Sequence, residues 1–273
     1  MNYRRAAEEL HLTQPAVTKH IQSLEDEYGV ELFHYDGRKL QRSEKSYLLE
    51  NYAYSQRINY EQILESLKEK SQKQVRIGLT KTIGEYVIFD HLVDYIRVSN
   101  DLIDIKIDNT DHLLEALREN SLDFLVLEGN FDKGKYAYQV FSEELFTGIC
   151  SSQHPFANKR VAMQDVLEEC CIVREDGSGS RNILESLLYL KGHSITSFQK
   201  HISISSIHLI KKLIKKDIGV TFAYDKILKE EKDISTFEVD GITTYHEFNI
   251  VAIKNTSGLE KAKEFFRKNK KNM

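Results

Sequence analysis

Four short clusters of hydroxyl and amide side chains carry the most suggestive chemistry in this sequence. Thr80-Lys81-Thr82, Asn109-Thr110, Gly177-Ser178-Gly179-Ser180 and Ser205-Ser206 each follow an apolar, strand-like run and precede a helix-like one. A helix start leaves free amides and a partial positive charge. Hydroxyls placed there suit a small anion such as a carboxylate, sulfate or phosphate ester. Taken singly, each cluster is equally what plain N-capping requires. Signs of catalysis are few. Gly177-Ser178-Gly179-Ser180 lacks the G-x-S-x-G order of a nucleophile elbow. The ten histidines show no H-E-x-x-H or other metal spacing, and no glycine run matches a dinucleotide or P-loop fingerprint. No enzyme activity, cofactor or metal is expected.

A second chemistry sits near the start of the chain. Ala6, Ala7 and Leu10 share a face of one helix, Leu12 fills a turn, and Thr13 is a good N-cap for the next helix. Pro15 falls in the first turn, where a missing amide costs nothing. Val17, Ile21, Leu24 and Tyr28 then recur at helical spacing until Gly29 stops the helix. The outer face is left to Gln14, Pro15, Thr18, Lys19 and Gln22. It is short, polar and uncharged apart from one lysine, as a helix lying in a major groove should be. An ordinary helical hairpin has the same spacing.

Those residues carry a resemblance. Ala6-Ala7 through Leu10, Leu12-Thr13-Gln14-Pro15-Ala16-Val17-Thr18 and Ile21 through Leu24-Glu25 closely resemble the winged helix-turn-helix of LysR-type transcriptional regulators. Leu32-Phe33 and Gly37-Arg38-Lys39-Leu40 match the wing. In that family a further helix precedes this point, so the resemblance implies a head short of its first helix. The face of Ala6, Leu10, Val17 and Ile21 is then expected to lack a cover, which destabilises by about 25 cal/mol per Å². Ser43-Glu44-Lys45-Ser46 departs from the family pattern at the junction with the linker helix.

The resemblance continues through Thr80-Lys81-Thr82-Ile83-Gly84-Glu85-Tyr86, Asn109-Thr110, Asp123-Phe124 with Glu128-Gly129, His154-Pro155-Phe156-Ala157 and Arg174 to Arg181. These look most like the subgroup containing regulators of sulfur assimilation and of the Calvin cycle. The implied effector domain folds like a type 2 periplasmic binding protein, two α/β lobes joined by two crossing strands, here near Ile149–Ser151 and Glu247–Ile250. Lys81 stands where the subgroup has a small hydroxyl residue, and would add a full positive charge at the cleft mouth. Ser203, Ile207, Asp217 and Phe222-Ala223-Tyr224 depart as well, so the effector is expected to differ from those of the subgroup.

Elements that would position these residues follow from periodicity. Ser46 to about Lys73 has neither proline nor glycine, and Leu49, Tyr52, Gln56, Tyr60, Ile63 and Leu67 form an a/d-like seam. Such a seam needs a partner, so a dimerising helix is expected. Thereafter strands (Val75–Leu79, Ile103–Ile107, Phe124–Leu127, Ala137–Phe141, Leu145–Cys150, Cys171–Val173, His201–Ile204, Val220–Ala223, Phe248–Ile253) interleave with helices (Gly84–Val98, Asp111–Asn120, Met163–Glu168, Ser180–Leu190, Ile207–Lys216, Leu259–Lys268). That alternation predicts a largely parallel sheet. The expected division is 1–43 for the head, 44–74 for the linker helix and 75–273 for the effector domain. Within the last, lobe I is 75–149 with 250–273 and lobe II is 150–249.

Composition sets bounds. A chain of 273 residues with 41% hydrophobic content can bury two or three cores, and a net charge of −4 excludes a generally basic coat. Even the first 43 residues carry six Lys/Arg against seven Asp/Glu. Phosphate contacts must come from placed cations, Arg38, Lys39 and Arg42 at the wing. Lys261, Lys263, Arg267, Lys268, Lys270 and Lys271 make the closing helix a basic, solvated end. Cys150, Cys170 and Cys171 have no CxxC spacing and read as buried, reduced thiols. With no membrane-length apolar run and no signal-peptide pattern, a cytoplasmic protein is expected.

The reading is an α/β protein with a winged helix-turn-helix head, a long linker helix and a two-lobed effector domain. It would bind promoter DNA through Thr13, Gln14, Pro15, Thr18, Lys19, Gln22, Arg38, Lys39 and Arg42. A small anionic metabolite would bind through Thr80, Lys81, Thr82, Asn109, Thr110, Ser178, Ser180, Ser205 and Ser206, in a homodimer or homotetramer. A stand-alone small-molecule-binding module whose shortened head no longer holds DNA is the alternative. A periplasmic solute-binding protein is disfavoured by the missing signal peptide.

Overall fold

Residues 2–37, 39–67, 73–229 and 231–267 are described by a computed structural model. Arg38, the end of the expected linker helix at 68–72 and the cations Lys268, Lys270 and Lys271 lie outside them. Two compact units result, Met1–Leu67 and Lys68–Met273.

In the first unit, α1 (Tyr3–Glu9) starts at Asn2, whose side chain accepts the Arg4 amide at 2.8 Å. His11, with φ of +54°, turns the chain into α2 (Gln14–Tyr28). Thr13 caps α2 by accepting the Ala16 amide at 3.4 Å, Pro15 lies in the first turn, and Gly29 ends the helix at φ +61°. Both ends follow the sequence signals. A hairpin of β1 (Phe33–Asp36) and β2 (Lys39–Arg42) pairs antiparallel, with Gly37 at φ +63° in its turn. Val17, Leu32 and Leu40 form the buried centre. Leu10, on the face expected to lack a cover, is 62% exposed, and Leu12, expected to fill the turn, is 46% exposed. Leu10 stands at the rim of an open groove of about 440 Å³ lined by Tyr3, Ala6, Val17, Ile21, Phe33 and Leu40. α3 (Glu44–Ser66) follows, its first turn capped by the Ser43 hydroxyl, which accepts the Ser46 amide at 3.2 Å. Tyr52, Gln56, Tyr60, Ile63 and Leu67 of the expected seam are exposed, and Leu49 is half-buried.

The second unit runs β3 (Gln74–Thr80), α4 (Lys81–Tyr86), α5 (Phe89–Val98), β4 (Leu102–Asp108), α6 (Thr110–Arg118), β5 (Phe124–Glu128) and β6 (Tyr136–Ser151). It continues with β7 (Arg160–Val161), α7 (Met163–Leu167), β8 (Cys170–Val173), α8 (Gly179–Leu190), β9 (Lys200–Ser203) and α9 (Ile207–Lys215). β10 (Thr221–Tyr224), β11 (Ile234–Val239), β12 (Thr244–Ile253) and α10 (Gly258–Arg267) complete it. An eight-stranded sheet has the order β4-β3-β5-β12-β6-β11-β7, with β10 also on β6, while β8 and β9 pair separately.

Several expectations need correction. The sheet is mixed: β3 runs parallel to β4 and β5, but every pairing of β6 and β12 is antiparallel. The reason is that both long strands cross between the lobes in opposite directions. β6 is one strand of 16 residues that runs through the polar Ser142-Glu143-Glu144 stretch without the break expected there. Its partners change at Phe146, which faces both Thr244 of β12 and Tyr224 of β10. The single helix expected over Gly84–Val98 is two, because Val87 and Ile88 both donate to the Ile83 carbonyl and turn the chain. β11 was not foreseen.

One core lies around Ile77, Leu79, Phe124, Val126, Phe248 and Phe265, and a smaller one around Ile149, Ile172, Ile207, Ile210 and Ile214. Asp217 adopts φ +55°, a left-handed position that favours glycine. Cys150 and Cys171 are buried, Cys170 is half-buried, and none forms a disulfide. Burial pushes the Cys150 thiol up to about 12, so it is protonated and unreactive. Among the described residues no helix is long and apolar enough to cross a membrane, and no cluster of His, Cys, Asp and Glu could hold a metal.

Candidate DNA-reading face and candidate effector cleft

On α2, Thr13, Gln14, Pro15, Lys19 and Gln22 are exposed and Thr18 is partly so, while Val17 on the opposite face is buried. The Thr18 hydroxyl donates to the Gln14 carbonyl at 3.1 Å, which fixes its rotamer and leaves its methyl and oxygen at the surface. Sequence reasoning missed what holds the hairpin to this helix. The Glu25 carboxylate accepts the backbone amides of Leu32 at 2.7 Å and Phe33 at 3.1 Å. Of the expected phosphate contacts, Lys39 is exposed. Arg42 is not free: it pairs with Glu50 at 2.8 Å, donates to the Ser46 hydroxyl at 3.1 Å and lies 4.0 Å over the Tyr47 ring. It positions β2 against α3.

In the second unit some of the clusters touch. Lys81, at the start of α4, reaches Glu175 Oε1 at 2.8 Å and the Ser205 carbonyl at 3.0 Å, so the first cluster meets the fourth and the residue two before the third. The Gly177 turn, at φ +79°, approaches the second: a Cβ there would lie 3.2 Å from Asp111 Oδ2 and 3.3 Å from Asn109 Nδ2. Gly179 touches the end of β5, where a Cβ would lie 2.4 Å from the Glu128 carbonyl. Only glycine fits.

Capping claims part of two clusters, whereas Thr80 and Ser178 stand at helix starts without a side-chain capping bond. Asn109 accepts the His112 amide at 2.9 Å and Ser206 the Leu209 amide at 3.2 Å. Ser178 and Ser180 are buried with their hydroxyls 3.1 Å apart. Thr80, Thr82 and Thr110 are buried too, and the Thr110 hydroxyl has no partner among the described residues. Ser205 and Ser206 are exposed.

Charged groups missed from sequence dominate the electrostatics. Glu128 is buried beneath Thr80, whose hydroxyl donates to its carboxyl. Burial pushes this carboxyl up, against hydrogen bonds from Thr80 and Thr82 and the nearby Arg174 charge. It is therefore held toward its neutral form. Arg174, 7% exposed, donates to Glu175 through Nε at 2.8 Å and Nη2 at 3.2 Å. Burial would raise the Glu175 carboxyl, but the hydrogen bonds from Arg174 and Lys81 outweigh it and hold it below the ordinary range. Tyr224 lies under the same region; burial first, then Glu128 and Glu144, push its hydroxyl up. The only trace of Glu128 in the sequence is an acidic residue closing the apolar run Phe124–Leu127. Arg174 and Glu175 stood in plain sight within the Arg174-to-Arg181 run.

A helix-turn-helix head ahead of a two-lobed α/β domain with a polar cleft defines a ligand-responsive transcriptional regulator. Residues 1–45 match the model of the bacterial regulatory helix-turn-helix protein, lysR family, and residues 68–268 match the LysR substrate binding domain. This chain belongs to the LysR family. The RuBisCO operon transcriptional regulator of Allochromatium vinosum is 26% identical over 261 residues, covering 92% of this chain and 84% of its own. The HTH-type transcriptional regulator CysL of Bacillus subtilis is 25% identical over 258 residues, covering 92% and 85%. The regulatory domain of Synechocystis PCC6803 CcmR, solved in complex with 2-PG, superposes with a TM-score of 0.64. It is 16% identical and covers 74% of this chain and 99% of that domain, a likeness of fold.

Proposed function

We propose that this regulator reads promoter DNA with Gln14, Pro15, Thr18, Lys19 and Gln22 in the major groove and senses a small anionic metabolite in the cleft of its second unit. The observation that carries the first half is the polar, exposed face of α2 opposite buried Val17. Lys39 and Arg38 contact phosphate, whereas Arg42 acts by bracing the hairpin. For the cleft, Thr80, Lys81, Thr82, Asn109, Thr110, Ser178, Ser180, Ser205 and Ser206 surround the anion. The likeness to CcmR, whose domain was solved with 2-PG, supports a small ligand there.

We further take 1–43, 44–74 and 75–273 as head, linker helix and effector domain, and lobes I and II as 75–149 with 250–273 and 150–249. α3 pairs with a second copy to give a homodimer or homotetramer, in the cytoplasm, with no catalytic step. Ligand binding shifts the population of lobe arrangements and hence the placement of paired heads. A mobility-shift titration on the promoter beside the gene tests this. Affinity should fall steeply with salt, as counterion release requires, and Ser178→Ala with Ser206→Ala should abolish any effector response. An effector response that survives both substitutions places the ligand elsewhere.

A further inference from the structure

The cleft mouth holds an anion of its own. The two oxygens of the Glu175 carboxylate are engaged from opposite lobes, Oε1 by Lys81 at 2.8 Å and Oε2 by Arg174 at 2.8 Å, with the second Arg174 nitrogen 3.2 Å from Oε1. This is the fork geometry with which arginine grips a carboxylate or phosphate. The seat lies where the first and fourth clusters meet, beside the Ser205 carbonyl that also holds Lys81 at 3.0 Å. Arg174 is the most enclosed of the three, its side chain 8% exposed, while Lys81 and Glu175 are 25% and 22% exposed. Glu175 therefore has a route to water. Both cations that would attract an anion into the cleft are thus already paired.

We propose, resting on the anion-sensing reading above, that Glu175 is a tethered stand-in for the effector's acidic group and so decides which effectors bind. A ligand must displace a carboxylate that is always present. Exchanging it for a monocarboxylate gains nothing in charge, since one negative group replaces another. With Glu175 turned out, Lys81 and Arg174 together present two positive charges. The seat then matches a doubly charged group, a phosphate ester or a compact dicarboxylate. Losing the link between Lys81 and Glu175 also removes the ion pair that joins the lobes at this point, which couples occupancy to lobe arrangement.

Equilibrium dialysis of the full chain against radiolabelled inorganic phosphate tests the assignment, at constant ionic strength and a pH where phosphate is mostly dianionic. Wild type should bind phosphate without competition from equimolar acetate. Glu175→Gln should bind it about tenfold more tightly, as expected for removing a competing charge-assisted pair, and acetate should now compete. Glu175→Asp, which keeps the charge but retracts it by one methylene, should give a smaller gain and guards against a folding defect in the first variant. Adding Lys81→Met to Glu175→Gln should return the gain. Phosphate binding that is unchanged or weaker in both Glu175 variants overturns the role of Glu175 while leaving the anion site standing. Phosphate binding by none of these proteins overturns both the role and the anion-sensing reading.

Discussion

The Glu25 carboxylate, in the last turns of α2, accepts the Leu32 amide at 2.7 Å. It accepts the Phe33 amide as well, so one side chain joins the reading helix to the hairpin that follows. Hydrogen bonds to a charged group contribute roughly 1.5–3 kcal/mol, and an amide left without a partner costs more than the bond gave. Glu25→Ala should lower the stability of the head by about that amount. DNA affinity should fall with it while phosphate binding to the second unit stays intact. Limited proteolysis between α2 and β2, read beside a mobility shift, checks this; a variant whose hairpin remains as protected as wild type contradicts it.

Glu128 gives the second unit a pH signature. Its carboxyl is raised above the ordinary 4.5 by burial, so the folded state holds a proton that the unfolded chain releases. The associated stability is fully present below the unfolded value and is lost as pH rises through the folded one. Glu128→Gln keeps a side chain that can accept from Thr80 and never ionises. Its thermal midpoint should exceed that of wild type above the carboxylate range, by roughly 2–4 °C for each ~1 kcal/mol, and converge with it in acid. Midpoints that run parallel across the whole pH range refute the neutral carboxyl.

Gly179 is a close-contact position, and Gly129, at φ +95°, faces it: a Cβ on Gly129 would lie 2.8 Å from the Gly179 Cα. Backbone occupies both sides, so neither neighbour can yield as a side-chain tip could. Gly179→Ala should cost about 1–3 kcal/mol of stability and separate α8 from the end of β5. Calorimetry gives the first quantity, and loss of phosphate binding reports the second. Wild-type values for both would mean that this contact is not needed.

Sequence showed where the chain could act but not how its parts are held. The cap at Thr13, the proline in the first turn and the stop at Gly29 obey local rules, so α2 was legible residue by residue. Asn109 and Ser206 are legible as helix caps for the same reason, whereas Thr80 and Ser178 precede helices without capping them through their side chains. Leu12 is exposed where the turn is expected to bury it, because burial depends on a cover that periodicity cannot supply. β6 reads as two strands because Ser142-Glu143-Glu144 is polar within a continuous strand, and polarity there imitates a loop. Glu128 acts through burial and Glu175 through Lys81, 94 residues away, neither of which leaves a short-range pattern. Arg42 was assigned to phosphate on charge alone, whereas Glu50 and Tyr47 hold it.

α3 carries Tyr60, Ile63 and Leu67 at steps of three and four, exposed in the single chain. Burying such a seam against a second copy contributes about 25 cal/mol per Å². Ile63→Glu should shift the protein from oligomer to monomer in light scattering and weaken DNA binding through loss of the second head. An unchanged mass would place the interface on another surface.

The most direct test of the account replaces Gln14, Thr18 and Lys19 together by alanine and titrates the promoter fragment against an unrelated duplex of equal length. Sequence-specific affinity should drop to the level of the unrelated duplex, with the thermal midpoint of the protein unchanged. Retention of the wild-type preference for the promoter would contradict the assignment of α2 as the element that reads DNA.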